Sequence, residues 1–273
     1  MAAMLGGAGG AGNAAASGAA ERTGWRLVWS DEFNYRGLPN PEKWAYEEGF
    51  VRNAEMQYYT KERLENARVE DGKLIIECRK EKFANPKYHA GSDNWQRQRE
   101  FAQYTAASLT TKAKASWQYG RVEVRAKLPR GKGVWPAIWM LGTNITKIGW
   151  PRCGEIDIME FVGKEPNTIH ANAHFARGGK HASNGGKLTA PAPYDDFHLY
   201  AIEWFADRMD FYFDDTKYHT VKLDDLRADD AAFRAPQYLL INFALGGAWG
   251  GEIDEGVLPQ RYEIDYVRVY QAK

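Results

Sequence analysis

The chain has 273 residues, with 36 lysines and arginines against 36 aspartates and glutamates. That balance supplies no large basic face for a nucleic acid and no cationic stripe for an anionic membrane, and it suits a neutral polymer as partner. No run of eighteen or more apolar residues occurs, so no segment reads as a membrane-spanning helix.

Residues 1–22 are dominated by alanine and glycine and read as a flexible leader. They lack the basic start and strong apolar centre of a signal peptide. Residues 23–273 are expected to form a single domain. After Gly24 the chain reads as strand after strand. Trp25–Trp29 is mostly apolar. Pro41–Tyr46 has the look of a short helix. Lys73–Cys78 is an apolar run, preceded by the turn signal Asp71-Gly72. Glu81–Tyr104 is the most polar internal stretch and is expected to be one long loop. Arg121–Leu128 alternates strictly, with Val122, Val124, Ala126 and Leu128 on one face. Arg208–Asp214 has the same period and ends at a turn, Asp214-Asp215. Leu223–Ala232 is a second short helix candidate. Pro236–Leu245 and Arg261–Tyr270 complete the strands. Many short strands separated by turns in one long domain predict an antiparallel sandwich or barrel.

Aromatic residues make up 14% of the chain, including 10 tryptophans. A core alone seldom needs that many, and the flat C–H face of a sugar ring stacks on an aromatic ring. Roughly half of the tryptophans are expected in the core and the rest on a surface that meets sugar. The two cysteines, Cys78 and Cys153, lie in apolar strand contexts and are expected as buried free thiols.

The most informative segment is Gly154-Glu155-Ile156-Asp157-Ile158-Met159-Glu160-Phe161, which places three acids in six residues of an otherwise apolar strand. In regular β-structure Glu155 and Asp157 share a face and Glu160 points to the other, where an unpaired carboxylate costs several kcal/mol. One extra residue near Ile158-Met159, a β-bulge, resets the alternation and brings all three acids to one face. Such a group suits hydrolysis of a glycosidic bond, which needs one carboxylate and one carboxylic acid. The charge of Asp157 between the two glutamates raises a neighbour's pKa and helps one of them stay protonated. His170 and His174 share a face of a strand and have the spacing of a metal pair, but no third ligand suggests itself. His89, His181, His198 and His219 have no motif context and read as bystanders.

The sequence resembles glycoside hydrolase family 16, in its laminarinase-like branch. The matching pieces run in order from Trp29-Ser30-Asp31-Glu32-Phe33 through Asn53–Thr60, Gly120–Pro129, Gly133–Met140 and the Glu-x-Asp-x-x-Glu segment to Gly246–Gly250 and Asp265–Tyr270. The resemblance implies an all-β jelly-roll sandwich of two curved antiparallel sheets with a concave substrate cleft. It implies Glu155 as nucleophile, Glu160 as general acid/base and Asp157 as the supporting acid. It also implies Asn53, Trp135, Trp139, His174 and Trp249 as substrate-binding residues. Trp249 sits among four glycines, where a ring has few neighbours to pack on. No cofactor is expected for catalysis. A structural calcium ion is implied away from the cleft, held by backbone oxygens of Glu32 and Gly72 and the carboxylate of Asp265. The implied activity is retaining, endo-acting hydrolysis of β-1,3-glucan by a secreted or periplasmic monomer, with mixed-linkage glucan as the nearest alternative. A non-catalytic glucan-binding module is the rival from another class. The intact acids speak against it. The stretch Asn144–Arg152 is longer than the resemblance requires.

Overall fold

The computed structural model describes residues 22–273, so the expected leader lies outside the described residues apart from Arg22. The fold is a sandwich, as alternation predicts, and has the jelly-roll form that the resemblance implies. One sheet has ten strands and the other eight, and every pairing is antiparallel except that of Gln57–Tyr59 with Phe101–Ala106. The eight-stranded sheet carries the cleft. Its strands lie in the order Lys180–Ser183, Thr168–Arg177, Glu155–Glu160, Val134–Gly142, Gln237–Leu245, Ser108–Thr110 and Ala45–Glu47, with Gly186–Thr189 beside Thr168–Arg177.

The central strands Val134–Gly142 and Gln237–Leu245 are buried throughout, yet alternation still assigns each residue to a side. In Val134–Gly142, Val134, Ile138 and Met140 enter the core between the sheets. Trp135, Ala137, Trp139 and Leu141 line the cleft instead. In Gln237–Leu245, Leu239, Ile241, Phe243 and Leu245 are core, while Tyr238 and Asn242 face the cleft. Trp44, Trp117 and Trp204 are core residues, and Trp135, Trp139, Trp150 and Trp249 lie at the cleft. Both cysteines are free and buried, as expected.

Three expectations are corrected. Pro41–Tyr46 is not a helix. Asn40 caps a single turn through Lys43 and Trp44, and the chain then enters the strand Ala45–Glu47. Trp44 is driven into the core, and Ala45 pairs with Thr110, so tertiary pairing overrides the local signal. Glu81–Tyr104 is not one loop either. The strand Lys73–Ala84 runs through its first part, and Phe101–Ala106 begins before its end. The polar stretch Arg79–Ala84 is extended because it pairs with Phe101–Thr105 at a wet edge, so it shows no apolar period. Leu223–Ala232 is helical only in part, as Leu223–Leu226 and a short 3-10 turn at Asp229–Ala231.

Candidate active site

The bulge is where the acids require it. Asp157 pairs with Asn172 and Glu160 with His170, so three steps along the acid strand match two along its neighbour. The same irregularity appears against the other neighbour, between Asp157 and Met159. Ile158 and Met159 therefore both enter the core, and Glu155, Asp157 and Glu160 all line one cleft of about 460 Å³.

Among the described residues no lysine or arginine forms an ion pair with the three carboxyls. Trp150 Nε1 donates to Glu155 Oε2 at 3.0 Å, and Trp135 Nε1 donates to Glu160 Oε1 at 3.0 Å. His174 Nε2 lies 3.3 Å from Asp157 Oδ2 and 3.9 Å from Glu155 Oε1. Burial, followed by the Asp157 charge, pushes Glu155 up to about 8, and His174 and Trp150 pull against that rise. Burial raises Asp157 as well. Glu160 is held well above the ordinary carboxyl range by burial and then by Asp157, with the Trp135 N–H opposing. Burial, reinforced at Glu155 and Glu160 by the Asp157 charge, opposes full ionisation, so the group favours keeping protons at neutral pH. One carboxyl kept acidic beside one that can ionise is the arrangement glycoside cleavage requires.

The predicted binding residues fall around this centre with two changes. Asn53 lines the cleft in a left-handed conformation, φ 55°, and its amide reaches Glu55 Oε1 at 3.3 Å. Trp135 and Trp139 both face the cleft, as their spacing of four predicts. Trp249 does not line the main cavity, and its ring is not isolated. It packs edge-on against Trp135, with centroids 5.5 Å apart, and against His170 at 4.9 Å. The glycines around it serve the backbone: a side chain at Gly247 would meet the Asn53 carbonyl oxygen at 2.8 Å, and φ there is 70°. The histidine pair also separates. His170 Nε2 turns to Glu165 at 3.2 Å, while His174 joins the acids. Ligand atoms of Glu155, Asp157 and His174 lie within 4.8 Å of one another, so His174 has two carboxyl neighbours that spacing alone does not reveal.

Several site residues carry no signal in the sequence. Trp150 sits in the long stretch Asn144–Arg152, is about half exposed, and covers Glu155. His181 is no bystander, since its Nε2 lies 2.9 Å from His174 Nδ1. A buried polar chain supports the Asn53 side of the cleft. Trp139 Nε1 donates to Asn242 Oδ1 at 2.7 Å, Asn242 Nδ2 donates to the Tyr59 hydroxyl at 2.9 Å, and that hydroxyl donates to Glu55 Oε2 at 3.1 Å. Arg52 stacks on Trp139 at 4.8 Å and pairs with Glu47, which accepts from Ser108 Oγ at 2.7 Å. Asn242 is detectable as a lone amide at cleft phase in an apolar run.

The calcium candidates lie on the other sheet. Asp31 pairs with Val267 and Leu74 with Ile264, so the register brings Glu32, Gly72 and Asp265 toward one corner. Gly72 closes a tight hairpin with Asp71 at positive φ. Asp265 Oδ2 is held by Arg125 at 2.7 Å, and the Glu32 carboxylate is bound by Arg268, leaving one Asp265 oxygen and the two backbone carbonyls as donors. Oxygen donors are the type calcium takes, and here the Asp265 carboxylate also has a guanidinium partner.

A β-sandwich whose cleft combines unpaired, proton-sharing carboxyls with tryptophan walls defines a glycoside hydrolase. The chain belongs to glycosyl hydrolases family 16, whose model matches residues 55–268. The beta-glucanase of Rhodothermus marinus is 44% identical over 261 residues, covering 90% of this chain and 85% of that protein. The X-ray structure of the laminarinase from Rhodothermus marinus superposes with TM-score 0.77 at 42% identity, covering 91% of this chain and 98% of that one. A structure connected with endo-acting O-glycanases that members of the human gut microbiota express to initiate mucin breakdown superposes with TM-score 0.85 at 40% identity, over 92% of each chain.

Proposed function

We propose that this glycoside hydrolase cleaves internal β-1,3-glucosidic bonds of laminarin-type glucan with net retention of configuration. The observation that carries the reading is the bulge that turns Glu155, Asp157 and Glu160 onto one face between Trp135, Trp139 and Trp150. Glu155 attacks the anomeric carbon from a position set by the Trp150 N–H. Glu160, held well above the ordinary carboxyl range, gives its proton to the departing glycosidic oxygen, which leaves as a hydroxyl. In the second step Glu160 takes a proton from water, whose oxygen attacks the same carbon and releases Glu155. Trp135 binds Glu160 through its N–H, so the same residue that lines the cleft also orients the acid. The substrate assignment is supported by the named laminarinase and beta-glucanase relatives. An open cleft lined by flat rings suits an internal segment of a neutral polymer, and action outside the cell by a monomer is part of the same proposal. A structural calcium at Glu32, Gly72 and Asp265 is part of this proposal and stands apart from catalysis.

Reducing-sugar release tests the reading on laminarin, mixed-linkage β-1,3-1,4-glucan, agarose and mucin O-glycans in parallel. Release from laminarin above the others supports it. The O-glycanase likeness gives a second reading, galactose-containing glycans, and release only from mucin O-glycans would establish that one instead.

A further inference from the structure

The direction of each hydrogen bond beside Asp157 can be read from the geometry. The Asn172 Oδ1 accepts the backbone N–H of Ala173 at 3.0 Å, so its Nδ2 is the atom 3.1 Å from His174 Nε2. An amide nitrogen only donates. The Nε2 of neutral His174 is then the acceptor, and its ring proton sits on Nδ1. That proton faces His181 Nε2 at 2.9 Å. His181 accepts it and carries its own proton on Nδ1.

His181 belongs to the exposed hairpin strand Lys180–Ser183, yet its ring is held on two sides. It stacks on His174 with centroids 5.1 Å apart and planes 26° apart, and Trp150 covers it at 4.8 Å. Partial desolvation pushes its pKa below the ordinary imidazole value, which favours the neutral form that can accept. The consequence falls on Asp157. Its Oδ2 is buried without a well-aligned partner, 3.3 Å from the His174 Nε2 lone pair. An anionic oxygen there would face an acceptor, whereas a protonated one has a lone pair to turn toward.

We propose that His181 is a positioning residue: by accepting from His174 Nδ1 it fixes the tautomer that keeps a proton on Asp157, so that Glu155 ionises beside a neutral neighbour. The titratable and charged groups acting on this stack are Glu155, Asp157 and Glu160 from the acid strand and, across the cleft, Arg52. Without the lock, His174 can carry its proton on Nε2 and stabilise an anionic Asp157, whose charge then raises Glu155.

The inference rests on the double-displacement reading, and its test has one arm that needs no substrate. Nitrogen-15 NMR of the wild-type imidazoles at neutral pH reports the tautomers directly. The expected result is His174 protonated at Nδ1, and an Nε2–H tautomer there overturns the proposal. In the second arm, His181→Ala lowers kcat on laminarin roughly tenfold, the scale seen when a partner that orients a functional histidine is lost. KM stays within about twofold, and the acid limb of kcat/KM moves to higher pH. His181→Gln, whose side-chain carbonyl still accepts from Nδ1–H, restores most of kcat. Unchanged kcat and acid limb in His181→Ala overturn the proposal. A wild type that leaves laminarin intact but shows His174 protonated at Nδ1 sinks the substrate reading and upholds the tautomer lock.

Discussion

Glu123 on the ten-stranded sheet and Asp157 on the eight-stranded sheet are equally deep, at 1% and 3% exposed. Their company differs. Glu123 is met by Arg121 at 2.9 Å, Arg22 at 3.0 Å and the Tyr270 hydroxyl at 3.2 Å. Asp157 meets the His174 imidazole, at 3.3 Å. The ten-stranded sheet repeats the first pattern at Glu77 with Arg68, Arg79 and Arg261, and at Asp210 with Arg208 and Lys217. Buried charge is therefore compensated where it serves the fold and left uncompensated where it serves the reaction, which is why the carboxyls of the cleft hold protons.

Substitutions on the two sheets should then behave oppositely, and the largest effect is catalytic. Glu155→Gln removes the nucleophile while keeping the shape, and turnover of laminarin should fall by about 10³-fold or more with glucan still bound. Initial rates and an equilibrium binding measurement check this. Residual activity within tenfold of wild type would break the assignment. Next comes a stability effect on the other sheet. Arg121→Met leaves Glu123 and Glu203 without their shared partner, and the fold should lose about 3 kcal/mol in denaturant unfolding.

The pH profile sharpens the comparison within the cleft. The Trp135 N–H lowers Glu160 and the Trp150 N–H lowers Glu155, so removing each donor raises the pKa of its carboxyl. Trp135→Phe should move the basic limb of kcat/KM to higher pH, and Trp150→Phe should move the acid limb to higher pH. If both variants shift the same limb, the two carboxyls do not have separate roles.

The smallest effect has the opposite sign to Arg121→Met. Asp157 is raised to about 8 when folded, so the folded chain binds its proton more tightly than the unfolded chain does. Its contribution to stability is lost as pH rises from the unfolded value near ~4 through that folded value. Asp157→Asn should raise Tm by roughly 3 °C at pH 8 and much less at pH 4, while activity falls. A scanning calorimetry trace with Tm lowered at pH 8 would contradict the contrast between the sheets.

The acids are legible in the sequence because charge in an apolar strand conflicts with alternation, and a bulge is the local device that resolves the conflict. Trp135 and Trp139 are legible because a spacing of four on a strand fixes a shared face. Trp150 and His181 are not, since neither lies in a periodic segment and both reach the site only through tertiary contacts. The bracing of Asn53 through Glu55, Tyr59 and Asn242 joins residues from distant strands, so sequence spacing cannot express it. Glu81–Ala84 reads as loop because a strand at a wet edge alternates between two polar environments. Pro41–Tyr46 reads as helix because one capped turn imitates a helix start.

The measurement that bears most directly on the central claim is proton NMR of a fresh laminarin digest, following the anomeric signals of the new reducing ends before they equilibrate. The account predicts that the β-anomer appears first with wild type and that Glu155→Gln yields no early signal. An α-anomer appearing first would mean inversion, and Glu155 would then not be the nucleophile of a double displacement.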